Sequence, residues 1–242
     1  GVLCRCTGYR KIVKAVMEAG VSVPAALVNG SGVGAAIPRL DGEPKVVGAE
    51  LFGADERPDG ALSVLAVRSP HWHARFAFGD LDAFVQSHPG VVAVFTAKDI
   101  PGRNRFGVIP QFADQPALAD GVARFRGEAV AAVVGEPWAI ADLDLSGFPV
   151  AWEELPHALE TGTALNGFAR LHESREGNVL IRGLVERGDA QGALKAAAVT
   201  ASGSLETSYV EHAYIEPEAG HAFMDGDVLV IKACTQAPVM DR

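Results

Sequence analysis

Four short, mostly apolar runs constrain the fold of this chain most. They cover residues 62–67, 91–95, 129–134 and 149–152. Each run has the length of a strand and is too short for a typical helix. Between them, residues 80–87 have helical spacing, with Leu81, Phe84 and Val85 on one face. Short strands with few helices predict an α+β domain rather than a doubly wound parallel sheet.

A short amphipathic helix is predicted at residues 10–19. Its apolar face contains Ile12, Val13, Val16 and Met17. Gly20 follows, in the position where glycine commonly ends a helix. Residues 21–37 are rich in small residues and have no sustained period, so we expect them to link two domains.

The last part of the chain mixes both kinds of element. A helix is predicted at residues 189–197 and an alternating strand at residues 199–208. Residues 221–224 and 228–233 flank the turn Asp225-Gly226-Asp227, which is typical of a β-hairpin. The sequence then stops after an apparent strand, which would leave a sheet edge unpaired. We therefore expect an incomplete α+β unit here.

Charge and composition exclude several classes of function. The formal net charge of −9 is unfavourable for binding nucleic acid or an anionic membrane surface. No apolar run is long enough to span a bilayer, and the start, Gly1-Val2-Leu3-Cys4, has no features of a signal peptide. Three cysteines are too few for a disulfide framework, which favours a reducing, cytoplasmic location. Because the chain lacks an initiating Met, we expect a processed start or a piece of a longer protein.

Two of the three cysteines are clustered in Cys4-Arg5-Cys6-Thr7-Gly8-Tyr9. Two thiolates at this spacing can face one iron or one zinc, and Gly8 lets the backbone turn closely. The alternative is that both are small buried residues without a ligand.

With the helix that follows, this segment resembles the second half of the helical [2Fe-2S] domain of the molybdenum hydroxylases, the xanthine dehydrogenase and aldehyde oxidoreductase family. In that family an upstream Cys-x-x-Cys supplies the other two thiolates of a four-thiolate cluster. The resemblance therefore implies that Cys4 and Cys6 are metal ligands and form half of a cluster site.

Further segments resemble the same family in the same order. They are Pro38-Arg39-Leu40-Asp41-Gly42-Glu43-Pro44-Lys45-Val46-Val47-Gly48, Arg68-Ser69-Pro70-His71-Trp72-His73-Ala74, His88-Pro89-Gly90-Val91-Val92-Ala93-Val94-Phe95-Thr96, Gly127-Glu128-Ala129-Val130-Ala131 and Glu153-Glu154-Leu155-Pro156. Judged from its residues alone, the first is a loop. His71 and His73 could bind a metal with a third ligand, but a strand end with a polar turn is the better interpretation.

Near the end, Glu211-His212-Ala213-Tyr214-Ile215-Glu216-Pro217-Glu218 resembles the start of the family's first molybdopterin-contacting domain. A Glu-His-x(3)-Glu cluster could serve metal or acid–base chemistry. We prefer a charged segment packed between domains and assign it no chemical step. Thr235-Gln236-Ala237-Pro238 also matches the family, and we expect the preceding Cys234 to be a small buried residue.

The resemblance implies a plan of five segments. Residues 1–20 end the [2Fe-2S] domain, 21–37 are a linker, 38–160 form an α/β hammerhead domain, 161–177 are a second linker, and 178–242 begin a molybdopterin-binding domain. The direct joining of an iron–sulfur helix to a hammerhead, with no flavin domain between them, resembles the bacterial aldehyde oxidoreductase arrangement.

The resemblance also implies a redox function. The family oxidises an aldehyde or N-heterocycle with water-derived oxygen at a molybdopterin–molybdenum cofactor and passes electrons to [2Fe-2S] clusters. Expected partners are a small-molecule substrate and the remainder of the enzyme or other subunits, in a homo-oligomer or a multi-subunit complex.

The family's glycine-rich Gly-Gly-x-Phe-Gly loop and catalytic Glu do not occur in these residues, so no catalytic or pterin-binding residue is assigned. We expect the chain alone to be inactive. The alternative is a non-catalytic scaffold or interaction fragment.

Overall fold

A computed structural model describes residues 9–21, 37–107, 112–211, 216 and 218–235 of the chain. It divides the chain into two units, Gly1–Phe52 and Gly53–Arg242, and each is described below by itself. None of the described helices is long and apolar enough to cross a membrane.

The first unit contains two helices, α1 (Tyr9–Met17) and α2 (Gly42–Val47). Helix α1 confirms the helix predicted at residues 10–19, and its apolar side chains are exposed.

Helix α2 corrects the prediction of a loop. The Asp41 carboxylate precedes its first turn and pairs with Arg39, whose Nε lies 2.9 Å away, and with Lys45. These partners hold the pKa of Asp41 well below its usual range. A carboxylate is favourable at a helix N-terminus, and Gly48, with a φ of 74°, ends the helix.

The second unit contains the remaining described elements. Its strands are β1 (Ser63–Arg68), β2 (Ala74–Phe78), β3 (Val91–Thr96), β4 (Val122–Ala123), β5 (Ala129–Gly135), β6 (Val150–Glu154), β7 (Gly220–Asp225) and β8 (Val228–Ala233). Its α-helices are α3 (Leu81–Ser87), α4 (Pro137–Ala141), α5 (Thr161–Leu165) and α6 (Ala190–Ala196), and short 3-10 helices cover Ala97–Asp99 and Glu176–Asn178.

The first six strands form two antiparallel three-stranded sheets, in the orders β1-β5-β3 and β4-β2-β6. The four predicted apolar runs are β1, β3, β5 and β6, and the α+β class is confirmed. Strand β6 extends through Glu153 and Glu154, where we expected it to have ended. It is extended because the backbones of these two residues pair with Arg75 and Ala74 of β2.

The hydrophobic core contains side chains from both sheets and from α3. Val130 and Val133 of β5 are fully buried. Phe84 of α3 packs against Phe148 with ring centroids 5.0 Å apart, and Phe78 of β2 lies 6.2 Å from the same ring. Burial of such large apolar groups is the main favourable term in folding this domain.

Two glycines permit a close approach of backbone segments at the end of β5. A Cβ on Gly135 would lie 2.5 Å from the carbonyl oxygen of Gly90. Gly90 itself has a φ of +87°, in the left-handed region that favours glycine. A side chain at position 135 would therefore obstruct the pairing of the end of β5 with the start of β3, and one at position 90 would collide with Ala139 and Trp138 of α4.

Residues 161–178, most of which we expected to be a polar connection, contain α5 and a 3-10 helix. Asn178 holds the segment together: its Nδ2 donates to the Ala164 carbonyl at 3.0 Å, and its Oδ1 accepts from the Leu171 amide at 3.0 Å. The Leu171 carbonyl in turn accepts from Nε of Arg124 at 3.1 Å. The segment is therefore tied to the residues that follow β4.

The later elements partly match the predictions. Helix α6 confirms the helix at residues 189–197, with the Asp189 carboxylate accepting from the Gly192 amide at 2.7 Å. The hairpin β7–β8 is confirmed. The strand predicted at residues 199–208 is wrong, since these residues have no strand pairing in the described structure and are exposed. Alternating hydrophobicity forms a strand only where a neighbouring strand supplies hydrogen bonds.

Candidate functional site

The predicted cluster ligands, Cys4 and Cys6, lie outside the described residues. Cys234 is described, and it is half-buried rather than buried as we expected. Among the described ranges, no group of three His, Cys, Asp or Glu side chains is placed to hold a metal ion.

His71 and His73 lie in the turn between β1 and β2. The His73 ring is buried, and its Nδ1 is 2.8 Å from the Pro156 carbonyl oxygen. His71 packs near Trp152 with ring centroids 5.6 Å apart, and its Nδ1 is 3.7 Å from Glu154. Both rings connect this turn to β6 and the residues after it, in agreement with the predicted strand end and polar turn.

Only part of the segment 211–218 is described. Glu211, Glu216 and Glu218 are described, whereas residues 212–215 and 217 are not. Both interpretations of this segment therefore stay open: metal or acid–base chemistry, and a charged segment packed between domains.

An arginine-lined cleft of about 860 Å³ lies in the second unit. Its five arginines are Arg75, Arg103, Arg105, Arg124 and Arg170. Its three carboxylates are Asp114, Asp120 and Glu173. Five guanidiniums against three carboxylates leave the lining with an excess of two positive charges, in a chain whose net charge is −9.

Most of the arginines in the cleft are not neutralised by a carboxylate. Among the described residues, Arg103, Arg105, Arg124 and Arg170 make no salt bridge. Arg124 donates to the Leu171 carbonyl, and Arg170 donates to the Glu173 carbonyl at 3.2 Å. A carbonyl oxygen is a neutral acceptor, so these cations keep their full charge toward the cleft.

Asn104 fixes the loop that presents two of these arginines. Its Oδ1 accepts from the amides of Ala117 and Leu118 at 2.9 and 3.2 Å, and its Nδ2 donates to the Leu118 carbonyl at 2.6 Å. Arg103 and Arg105 are the neighbours of this anchored residue, so their backbone positions are set although their side chains are exposed.

One of the three carboxylates that line the cleft, Asp114, is compensated by a positive charge. The Arg175 guanidinium pairs with Asp114 and lowers the pKa of this carboxyl group below its usual value of 3.8. His172 lies 3.9 Å from the same carboxylate. Burial, and then the positive charge of Arg124, lower the pKa of His172 below its usual 6.5. The imidazole is therefore neutral near pH 7, and its contact with Asp114 is not an ion pair there.

A buried carboxylate supports the residues behind the cleft. Glu128 is buried and accepts a hydrogen bond from the backbone amide of Arg124. This contact holds the turn between β4 and β5 and so positions the Arg124 side chain.

Sequence reasoning missed the cleft. Its arginines come from distant segments, and only folding places them in one lining. The signal within the sequence was the pair Arg103 and Arg105 around one asparagine, in a segment with no hydrophobic period.

Two family models match the chain in succession. Residues 48–156 match the a/b hammerhead domain of aldehyde oxidase and xanthine dehydrogenase. Residues 171–242 match the molybdopterin cofactor-binding domain. The chain belongs to the molybdenum hydroxylase family of xanthine dehydrogenases and aldehyde oxidoreductases.

The sequence of this chain is also similar to those of individual members of the family. The chain is 34% identical to a probable xanthine dehydrogenase subunit from Bacillus subtilis, over 84% of this chain and 27% of that protein. It is 31% identical to the nicotinate dehydrogenase large molybdopterin subunit of Eubacterium barkeri, over 84% of this chain and 47% of that protein.

A solved structure, the aldehyde oxidoreductase from Desulfovibrio desulfuricans, has a TM-score of 0.71 and 27% identity, over 96% of this chain and 28% of that one. The chain therefore spans between about a quarter and a half of the length of these relatives.

The arginine-lined cleft takes residues from both matched segments of this molybdenum hydroxylase chain. Four of its arginines precede residue 156, in the hammerhead match, whereas Leu171 and His172 belong to the cofactor-binding match. The cleft therefore lies where these two parts of the chain meet.

Proposed function

We propose that this chain is part of a molybdenum hydroxylase that oxidises an aldehyde or an N-heterocycle with water-derived oxygen and passes electrons to [2Fe-2S] clusters. The observation that carries the proposal is the ordered succession of a hammerhead match and a molybdopterin-binding match in one chain. A chance likeness of one domain would not reproduce both in this order.

The molybdopterin–molybdenum cofactor supplies the oxygen-transfer and redox chemistry of this family. Among the described residues, no group of three His, Cys, Asp or Glu side chains is placed to ligate a metal ion directly. We therefore assign no chemical step to any of them. Their contribution is to form the hammerhead body and the first part of the cofactor-binding domain.

The partner that we propose is the remainder of the same enzyme or another subunit, in a homo-oligomer or a multi-subunit complex. Apolar side chains on the hairpin β7–β8, such as Phe223, Leu229 and Ile231, are 41 to 67% exposed. Burial of such a surface against further polypeptide would be favourable.

Several finer assignments belong to the same proposal. We place the domain boundaries at residues 1–20, 21–37, 38–160, 161–177 and 178–242. We also propose a cytoplasmic location, because the three cysteines of this chain are too few for a secreted disulfide framework.

We further propose that Cys4 and Cys6 are two of the four thiolate ligands of a [2Fe-2S] cluster. In the holoenzyme, Cys6→Ser should abolish one [2Fe-2S] signal in electron paramagnetic resonance, because a thiolate ligand is lost. Cys234→Ser is the matched control and should leave every signal intact. An unchanged spectrum in Cys6→Ser would refute the assignment.

The proposed activity is tested on the holoenzyme that contains this chain. It should contain molybdenum and a pterin, and it should oxidise at least one member of a panel of aldehydes and N-heterocycles with an artificial electron acceptor. A holoenzyme without molybdenum and without turnover would instead support the non-catalytic scaffold.

The 242-residue chain alone should show no turnover, because the glycine-rich loop and catalytic Glu of the family do not occur in it. Turnover by this chain, with molybdenum bound to it, would show that the active site lies within these residues.

A further inference from the structure

We propose that the arginine-lined cleft is a binding site for a small phosphate-bearing anion with at least two negative charges. This site is separate from the molybdenum chemistry proposed above and does not depend on it. The first observation is the charge of the cleft, which has five arginines against three carboxylates in an otherwise acidic chain.

The pairing of these charges strengthens the inference. Asp114 is neutralised by Arg175, and Arg75 by Glu153, and neither Arg175 nor Glu153 lines the cleft. Arg103, Arg105, Arg124 and Arg170 have no carboxylate partner among the described residues. Among the described lining residues, the acids without a salt bridge are Asp120 and Glu173, so a further anion would offset an existing excess of positive charge.

The type of side chain points to the class of ligand. Guanidinium groups present their N–H donors in a planar fork that matches the oxygens of phosphate in a bidentate geometry. The cleft is also lined by few apolar side chains, such as Val122, Leu155 and Leu171. A largely apolar molecule would leave the arginines unpaired, whereas a polyanion satisfies them.

The size and rigidity of the cleft are suitable for a small molecule. Its volume of about 860 Å³ lies within the usual range of about 300 to 1,000 Å³ for small-ligand sites. The loop of Arg103 and Arg105 is anchored through Asn104, and the Arg124 side chain is fixed by its bond to the Leu171 carbonyl. Part of the lining is therefore ordered before a ligand binds. Because fewer groups lose conformational freedom on binding, the entropic cost of binding is lower.

Calorimetric titration of the 242-residue chain with inorganic pyrophosphate tests the proposal. At an ionic strength of about 0.15 M, adjusted with sodium chloride, we expect one site with a Kd of about 0.1 mM or tighter. Arg103→Gln and Arg105→Gln should each weaken binding about tenfold, since each removes a charged hydrogen-bond donor. Both side chains are exposed, so the thermal unfolding midpoint should not change.

Arg187→Gln is the matched control, because it removes the same charge from an exposed arginine that does not line the cleft. It should leave the Kd unchanged. Absence of binding, or an equal loss of affinity in Arg187→Gln, would overturn the proposal. Equal or tighter binding of a hexaglutamate peptide would also overturn it, and would identify the cleft as a docking surface for an acidic protein segment.

Discussion

The guanidinium of Arg175 donates a hydrogen bond to the carboxylate of Asp114, 61 residues earlier in the chain. The same guanidinium lies over the Phe112 ring, with its Cζ 4.9 Å from the ring centroid. Only 13% of the Arg175 side chain is exposed. One residue of the cofactor-binding match is therefore attached to the hammerhead match by an ion pair and a cation–π contact.

Arg175→Met should lower the free energy of unfolding by about 1–2 kcal/mol. It removes a charged hydrogen bond and leaves Asp114 without its partner. The urea midpoint measures the effect, and hydrogen exchange should show faster exchange in residues 161–178. Arg187→Met is the control and should have little effect on either, since exposed substitutions without contacts are close to neutral. Equal stability of Arg175→Met and the unmodified protein would contradict this role of the pair.

The same ion pair makes part of the stability dependent on pH. Arg175 lowers the pKa of Asp114 below 3.8 in the folded state. The contribution of this pair to stability is therefore complete above about pH 5 and is lost as pH falls through the unfolded and then the folded pKa of Asp114. The difference in urea midpoint between the unmodified protein and Asp114→Asn should shrink as pH falls below about pH 4. Asp59→Asn, at an exposed position, serves as the control, and a pH-independent difference for Asp114→Asn would contradict the pairing.

Gly135→Ala should destabilise the protein by about 1–3 kcal/mol, the usual cost of overpacking. The new Cβ would lie 2.5 Å from the Gly90 carbonyl oxygen and 3.0 Å from the Cα of Val91. Both neighbours are backbone atoms that cannot rotate away. Gly147→Ala is the matched control, because its Cβ would meet no atom within 4 Å. The thermal midpoint should fall for Gly135→Ala alone, and equal midpoints for the two variants would refute the steric argument.

A protein truncated to residues 38–160 should fold cooperatively, since it keeps both three-stranded sheets. A protein of residues 38–178 should be about 1–3 kcal/mol more stable, because it adds the bonds of Arg175 to Asp114 and of Arg124 to Leu171. Urea unfolding of both proteins measures the difference. Arg175→Met in the longer protein should remove most of this advantage, and a non-cooperative, dye-binding species would contradict independent folding.

The sequence was sufficient to predict the strands that are buried as continuous apolar runs. Strands β3 and β5 are of this kind, because Val91, Val130 and Val133 are buried in one sheet. The hairpin β7–β8 was equally predictable, since its turn residues are local to it. In such elements the sequence pattern that identifies the element lies within a few consecutive residues.

Strand β2 was missed although it alternates, with Ala74 and Phe76 buried and Arg75 exposed. Its pairing partners, β4 and β6, lie far along the chain, and we interpreted the stretch before it as a polar turn. Helix α2 was missed because Gly42, Pro44 and Gly48 give its segment a composition that is typical of a turn.

The cleft was the least predictable feature. Its charged residues cannot be recognised as one group from the sequence, because β2, the Asn104 loop and residues 170–174 come together only in the folded protein. The negative net charge of the chain suggested that it had no basic site. A net charge, however, does not show how positive and negative side chains are distributed over the surface.

The strand order β1-β5-β3 has a consequence for synthesis. Strand β5, which pairs with both of its neighbours, is the last of the three to leave the ribosome. At about 5–20 residues per second, several seconds pass between the emergence of Arg68 and that of Gly135. During this interval the apolar residues of β1 and β3 have no partner strand, and such unpaired strands are prone to aggregation.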